Sequence, residues 1–139
     1  MLIGYGANRP KRTILFSVAL GLLPLAACAP AVISLPVVGK LSNGDTAQGS
    51  AVLDFGTRIG EFDMVTLSGL SCSGTYNADL RISTITIPVT CNNGRKGVVI
   101  ATRDASGVAG TATARLDNGM SGRFLFGNVS AQMQADFLK

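Results

Sequence analysis

Between residues 50 and 137, apolar and polar side chains alternate in short runs, and turn residues break the runs at intervals of roughly 8–12 positions. A side-chain period of two places every apolar group of a run on one face, which a strand can bury and a helix cannot. Ala51, Leu53 and Phe55 share such a face. So do Ile85, Ile87, Val89 and Cys91, against Thr84, Thr86, Pro88 and Thr90. Gly110, Ala112, Ala114 and Leu116 form another face, Phe124 and Phe126 a further one, and Ala131, Met133, Ala135 and Phe137 a last one. Asn92-Asn93-Gly94 and Asp117-Asn118-Gly119 read as tight turns, the second joining strands at 109–117 and 121–126 as a hairpin. The phase slips near Met64-Val65, which predicts a bulge, and Pro88, lacking an N–H, predicts a sheet edge at that point.

The pattern therefore predicts an all-β fold: a small antiparallel barrel or sandwich of seven to eight short strands, with little helix after an N-terminal signal helix. Abundant glycine (17 residues) and only 14% charged residues agree with many tight turns around one modest core. Of the twelve Lys and Arg, Arg9, Lys11 and Arg12 precede an apolar segment; the nine that follow it face eight acidic residues. The remainder is close to neutral, which argues against a nucleic-acid partner.

Residues 13–27 read TILFSVALGLLPLAA and carry no charge. As a helix these residues span only about 22 Å, whereas a bilayer core takes about 20 residues. A basic cluster followed by a short apolar stretch reads as an export signal. The stretch ends Leu25-Ala26-Ala27-Cys28, which resembles the lipobox of bacterial lipoproteins: an aliphatic residue, two small ones, then cysteine. The resemblance covers residues 1–29. It implies that Cys28 receives diacylglycerol on its sulfur, that the signal is cut before it, and that the new amino group is acylated, often with palmitate. Ala29 after the cysteine implies, by the enteric rule, sorting to the outer membrane, facing the periplasm. The competing reading is an ordinary signal cut after Ala29, since Ala27-Cys28-Ala29 also fits the small-x-small rule, although Pro30 would then follow the cut. Three segments result: a signal peptide at 1–27, a lipidated N-terminus and tether at 28–49, and a β-domain at 50–139. A short strand over Val32–Val38 can join that domain.

With Cys28 lipidated, Cys72 and Cys91 remain as an even pair in an oxidising compartment, and a disulfide between them is expected. The absence of histidine removes His-based triads, a His general base and ordinary zinc sites. No metal or cofactor motif is present. Lys40 and Lys96 sit in no Ser-Lys motif, Glu61 and Asp63 read as a solvated strand face, and Asn128-Val129-Ser130 is an uninformative sequon. Arg95 and Lys96, on a turn beside Cys91, are the candidate contact for an anionic partner such as a lipid headgroup or cell-wall polymer. The expected function is a non-catalytic, membrane-anchored envelope lipoprotein that binds another envelope or cell-wall component. The alternative is a lipid-anchored inhibitor of a cell-wall hydrolase such as lysozyme.

Overall fold

A computed structural model describes residues 31–139. Eight strands run β1 Val32–Leu41, β2 Thr46–Asp54, β3 Ile59–Thr66, β4 Ser71–Asn77, β5 Thr84–Cys91, β6 Lys96–Arg103, β7 Gly110–Leu116 and β8 Ser121–Phe126. Each pairs antiparallel with the next, and β8 returns to β1, so the sheet closes into a barrel. The signal helix and Cys28 lie outside the described residues.

Period-two burial runs round the whole barrel. In β5, Ile85, Ile87, Val89 and Cys91 face in and the threonines face out; in β3, Gly60, Phe62, Met64 and Thr66 face in. The phase slip expected at Met64-Val65 is absent: β3 keeps unbroken register with β2 and β4. An inward threonine causes the false signal. Thr66 is buried with its hydroxyl satisfied by Ser68 Oγ and Leu70 N, while Val65 and Leu67 face solvent. The barrel also begins earlier than residue 50. Residues 32–41 and 46–54 are its first two strands, registered from Val32↔Asp54 to Lys40↔Thr46, so the tether is no longer than the residues before Val32.

The last expected strand is instead a helix, α1 Ala131–Leu138. Ser130 caps it, accepting the Met133 N–H. With every barrel edge already paired, a ninth strand has no partner. The helix lies outside the β1–β8 junction, where Lys40 Nζ donates to the carbonyls of Leu138 and Lys139 and the Arg123 guanidinium sits 5.3 Å from the Phe137 ring centre.

Four tight turns share one barrel end, and their glycines, Gly44, Gly69, Gly94 and Gly119, recur every 25 residues with φ between 81° and 95°. Each turn is bonded alike, as in Gly44 N–H to Leu41 O and Gly119 N–H to Leu116 O. Each also donates to the preceding hairpin: Leu67 to Thr46, Asn92 to Ser71, Asp117 to Lys96, and Ser42 round to Ser121. The chain is thus four equivalent hairpins whose turn bonds form a closed ring. At the opposite end Asp54, Asp79 and Asp104 repeat with the same period, each accepting N–H groups of its own turn.

One junction is weaker. Between β4 and β5 only Cys72↔Cys91 and Ser73↔Thr90 are in ladder register. Pro88 is not at an open edge, since the barrel has none. It sits beyond that two-pair ladder on the side facing β4, as the donation from Asn92 N to Ser71 O on the same side of β5 indicates. Its missing donor therefore falls where no ladder bond exists. The Cys72–Cys91 disulfide crosses this junction.

Two measurements test this account. Reducing the disulfide, or replacing both cysteines by alanine, is expected to lower stability by about 3 kcal/mol in urea unfolding. Gly60 faces inward, and a β-carbon there would be driven into the ring of Tyr76. Gly60→Ala is expected to cost about 1–3 kcal/mol through overpacking, read as a lower urea midpoint at unchanged slope.

Candidate functional site

The two barrel ends differ. The turn end is sealed by the ring of bonds just described. The other end, the mouth, carries the connections 55–58, 78–83 and 104–109 and receives the chain at Ala31. Beneath it lies a cavity of about 30 Å³ whose walls include Leu53, Phe62, Ile85, Ala101, Ala112 and Phe126, together with Tyr76 and Arg103.

Arg103 reaches this place by strand parity. Val99, Ala101 and Arg103 alternate inward on β6, so the side chain ending the strand must enter the barrel. It is 7% exposed. Its Nη1 donates to the carbonyls of Asp79 (2.8 Å) and Ile82 (3.1 Å), which pins the 78–83 connection across the splayed β4–β5 junction. Its Nη2 is buried and has no hydrogen-bond partner among the described residues. Burial pushes the guanidinium below its ordinary pKa, with Tyr76 and Asp79 opposing. The Tyr76 hydroxyl donates to Val52 O at 3.0 Å, and burial raises its pKa. The Asp79 carboxylate is occupied by Arg81, at 2.6 Å from Nη2 of that residue, and by the Arg81 backbone N–H, which hold it well below the usual carboxylate range.

Within the fourfold repeat the positions equivalent to Arg103 are Leu53, Ala78 and Asn128. A buried cation occurs in one quarter only, so the barrel architecture does not demand it. Parity along GVVIATR marks Arg103 as inward, and that was the available signal for it in the sequence.

The sequence-predicted residues lie elsewhere. Arg95 and Lys96 are together on the β5–β6 turn at the sealed end, with Arg95 Nη1 3.9 Å from Asp117 Oδ1 of the neighbouring turn. That exposed pair is worth little, and neither residue lines the mouth cavity. Cys72 and Cys91 are joined. Glu61 and Asp63 point outward on β3, and Asp63 accepts the Ser50 hydroxyl at 2.6 Å. Lys40 is engaged by α1. Among the described residues no group of three His, Cys, Asp or Glu converges on a metal-sized site, and no helix is long and apolar enough to cross a membrane.

The chain matches no described protein-family model and no curated protein. Two solved structures resemble it in shape. A redesigned β-barrel, mFAP0, bound to DFHBI, superposes with a TM-score of 0.54 at 14% identity, covering 68% of this chain and 95% of its own. A second, mFAP1, also bound to DFHBI, gives 0.55 at 14% identity, covering 68% and 92%. At such identity the likeness shows the fold, a small closed antiparallel barrel.

Asp45, Asp54, Asp79 and Asp104 all have lowered pKa values, chiefly from hydrogen bonds with Ser68, Thr57, Arg81 and Ser106 respectively. A carboxylate depressed in the folded state stabilises it above the unfolded value, near 4, and loses that contribution as pH falls through the folded one. With no histidine in the chain, the melting temperature is expected to be nearly constant from pH 7 to about 5 and to fall below about 4. A calorimetric pH series checks this.

Proposed function

We propose that this chain is an exported bacterial lipoprotein, anchored through lipid on Cys28, whose barrel is a non-catalytic binding module of the cell envelope. In this reading it sits on the outer membrane facing the periplasm and engages an envelope protein or cell-wall component.

The observation that supports the reading best is where the barrel starts. Val32 opens β1 at the mouth, four residues after the lipobox cysteine. Four residues reach at most about 14 Å, so a lipid on Cys28 would hold the mouth against the membrane surface. The mouth has the corresponding chemistry. Val32, Ile33, Ile59, Leu80 and Ile82 are exposed there, with Arg58 and the solvent-facing Arg81, itself paired with Asp79, among them. Apolar side chains interspersed with arginines suit the headgroup region of a bilayer. The inhibitor reading needs a loop able to enter an enzyme cleft. The longest connections among the described residues, 78–83 and 104–109, are short and are tied back by Arg103 and Asp104.

Intact mass of the protein purified from bacterial membranes tests the proposal. The expected product lacks residues 1–27 and carries acyl chains, and the Cys28→Ala chain carries none. Unlipidated protein cut after Ala29 would make it a free secreted barrel and end the anchored reading.

A further inference from the structure

We propose that the outer wall of the barrel over β6, β7, β8 and β1 binds an extended acidic polysaccharide, along a stripe of cations formed by Lys40, Arg123, Arg115 and Lys96. This names a partner for the binding-module reading and does not depend on lipidation of Cys28.

Charge is segregated round the barrel. The strand cations are Lys40 on β1, Lys96 and Arg103 on β6, Arg115 on β7 and Arg123 on β8; the strand acids are Asp54 on β2 and Glu61 and Asp63 on β3. Arg103 turns inward, and the other four cations turn outward. Register sets these four in line. Lys40 is directly opposite Arg123. Arg123 is opposite Thr113, which puts Arg115 on the diagonal, and Arg115 is opposite Val98, which puts Lys96 on the next diagonal. Opposite and diagonal neighbours lie about 5–8 Å apart, and like charges directly opposite one another destabilise a sheet. No acid occupies any of these four strands to relieve the repulsion. Among the described residues Arg123, Arg115 and Lys96 have no ion-pair partner. Asp117 receives the Lys96 main-chain N–H at 3.4 Å and sits 3.9 Å from Arg95, and Asp136 is taken by Lys139.

The shape of the stripe selects the partner. From β1 to β6 it crosses three strand junctions of an eight-stranded ring, so it curves round the wall, and a flat bilayer meets only part of it. A flexible chain can follow the curve, its successive anionic groups meeting successive cations. The outward positions of these strands hold no aromatic ring on which bases could stack, which disfavours single-stranded nucleic acid. At the Lys40–Arg123 end a groove of about 310 Å³ is lined also by Ser42, Ser121 and Phe137. Ser42 Oγ accepts the Ser121 N–H and keeps its own proton to donate. Cations beside hydroxyls fit a sugar that carries a carboxylate.

The test is calorimetric titration of the full chain, in its unlipidated Cys28→Ala form, with polygalacturonate, dextran and oligo(dT). The expected result is binding of polygalacturonate that weakens at least about tenfold between about 50 and 200 mM salt, no binding of dextran, and weaker binding of oligo(dT). Lys96→Gln, Arg115→Gln and Arg123→Gln are each expected to weaken it about threefold, and all three together at least about tenfold. Arg58→Gln removes the same charge at the mouth and is expected to leave it unchanged. Urea midpoints check that each variant folds; should Arg123→Gln unfold through loss of its contact with Phe137, the Lys96 and Arg115 variants decide. No binding of polygalacturonate, equal or tighter binding of oligo(dT), or an equal loss with Arg58→Gln would each overturn the proposal. Salt-sensitive self-association that is lost in the triple variant would assign the stripe to a second copy, through the acids of β3, and would also overturn it. Acyl chains on Cys28 enter none of these outcomes, so failure here leaves the anchored reading standing.

Discussion

Pairing of β1 with β8 is the contact on which the other features of this molecule depend. Val37 to Leu41 meet Phe126 to Gly122 in register, and this turns a meander with two open edges into a ring with none. Closure gives each inward side chain neighbours on both sides and dries the interior around Phe124, Leu53 and Val99. It also leaves the segment after β8 without an edge to join, so α1 packs outside. Lys40, Arg123 and Phe137 then lay the helix over the same junction, and Leu125, outward by parity, is buried.

Strand existence was legible because closure buries one face of every strand, and that is the condition under which alternation becomes visible in a sequence. The cysteine pair was legible for a related reason: Cys91 lies on the apolar parity of its strand. Three features were not. Ala131-Gln132-Met133-Gln134 alternates as a strand would, and its fate is decided by the absence of a free edge, a non-local fact. Thr66 and Arg103 are polar residues at inward positions, so a hydrophobicity pattern misplaces the first and passes over the second. The 25-residue period was present in the sequence, but its shared residues are turn glycines and aspartates rather than a core motif, and turns read one at a time do not show it.

Against that repeat, departures from equivalence become informative. Cys72 replaces positions held elsewhere by Ala47, Gly97 and Gly122, and Cys91 those held by Leu41, Thr66 and Leu116. Both fall at the junction where the ladder is shortest. Arg103 is a third departure and reaches toward the same junction from the mouth. One staple closes the gap at its sealed side, and one cation spans it at its open side. A fold that repeats one hairpin four times has concentrated its irregular chemistry along a single seam.

The ring of turn bonds makes barrel size a matter of counting. Each hairpin grips its predecessor through the same donor and acceptor, so nothing local to a hairpin records how many there are; the number is limited by what fills the centre. Four hairpins bring eight strands close enough for Phe124 and Phe126 to pack in one core with side chains from the other strands. Gene-level duplication of one further 25-residue unit would preserve every inter-hairpin bond while widening the lumen beyond the reach of those rings. A closely packed core would become a container.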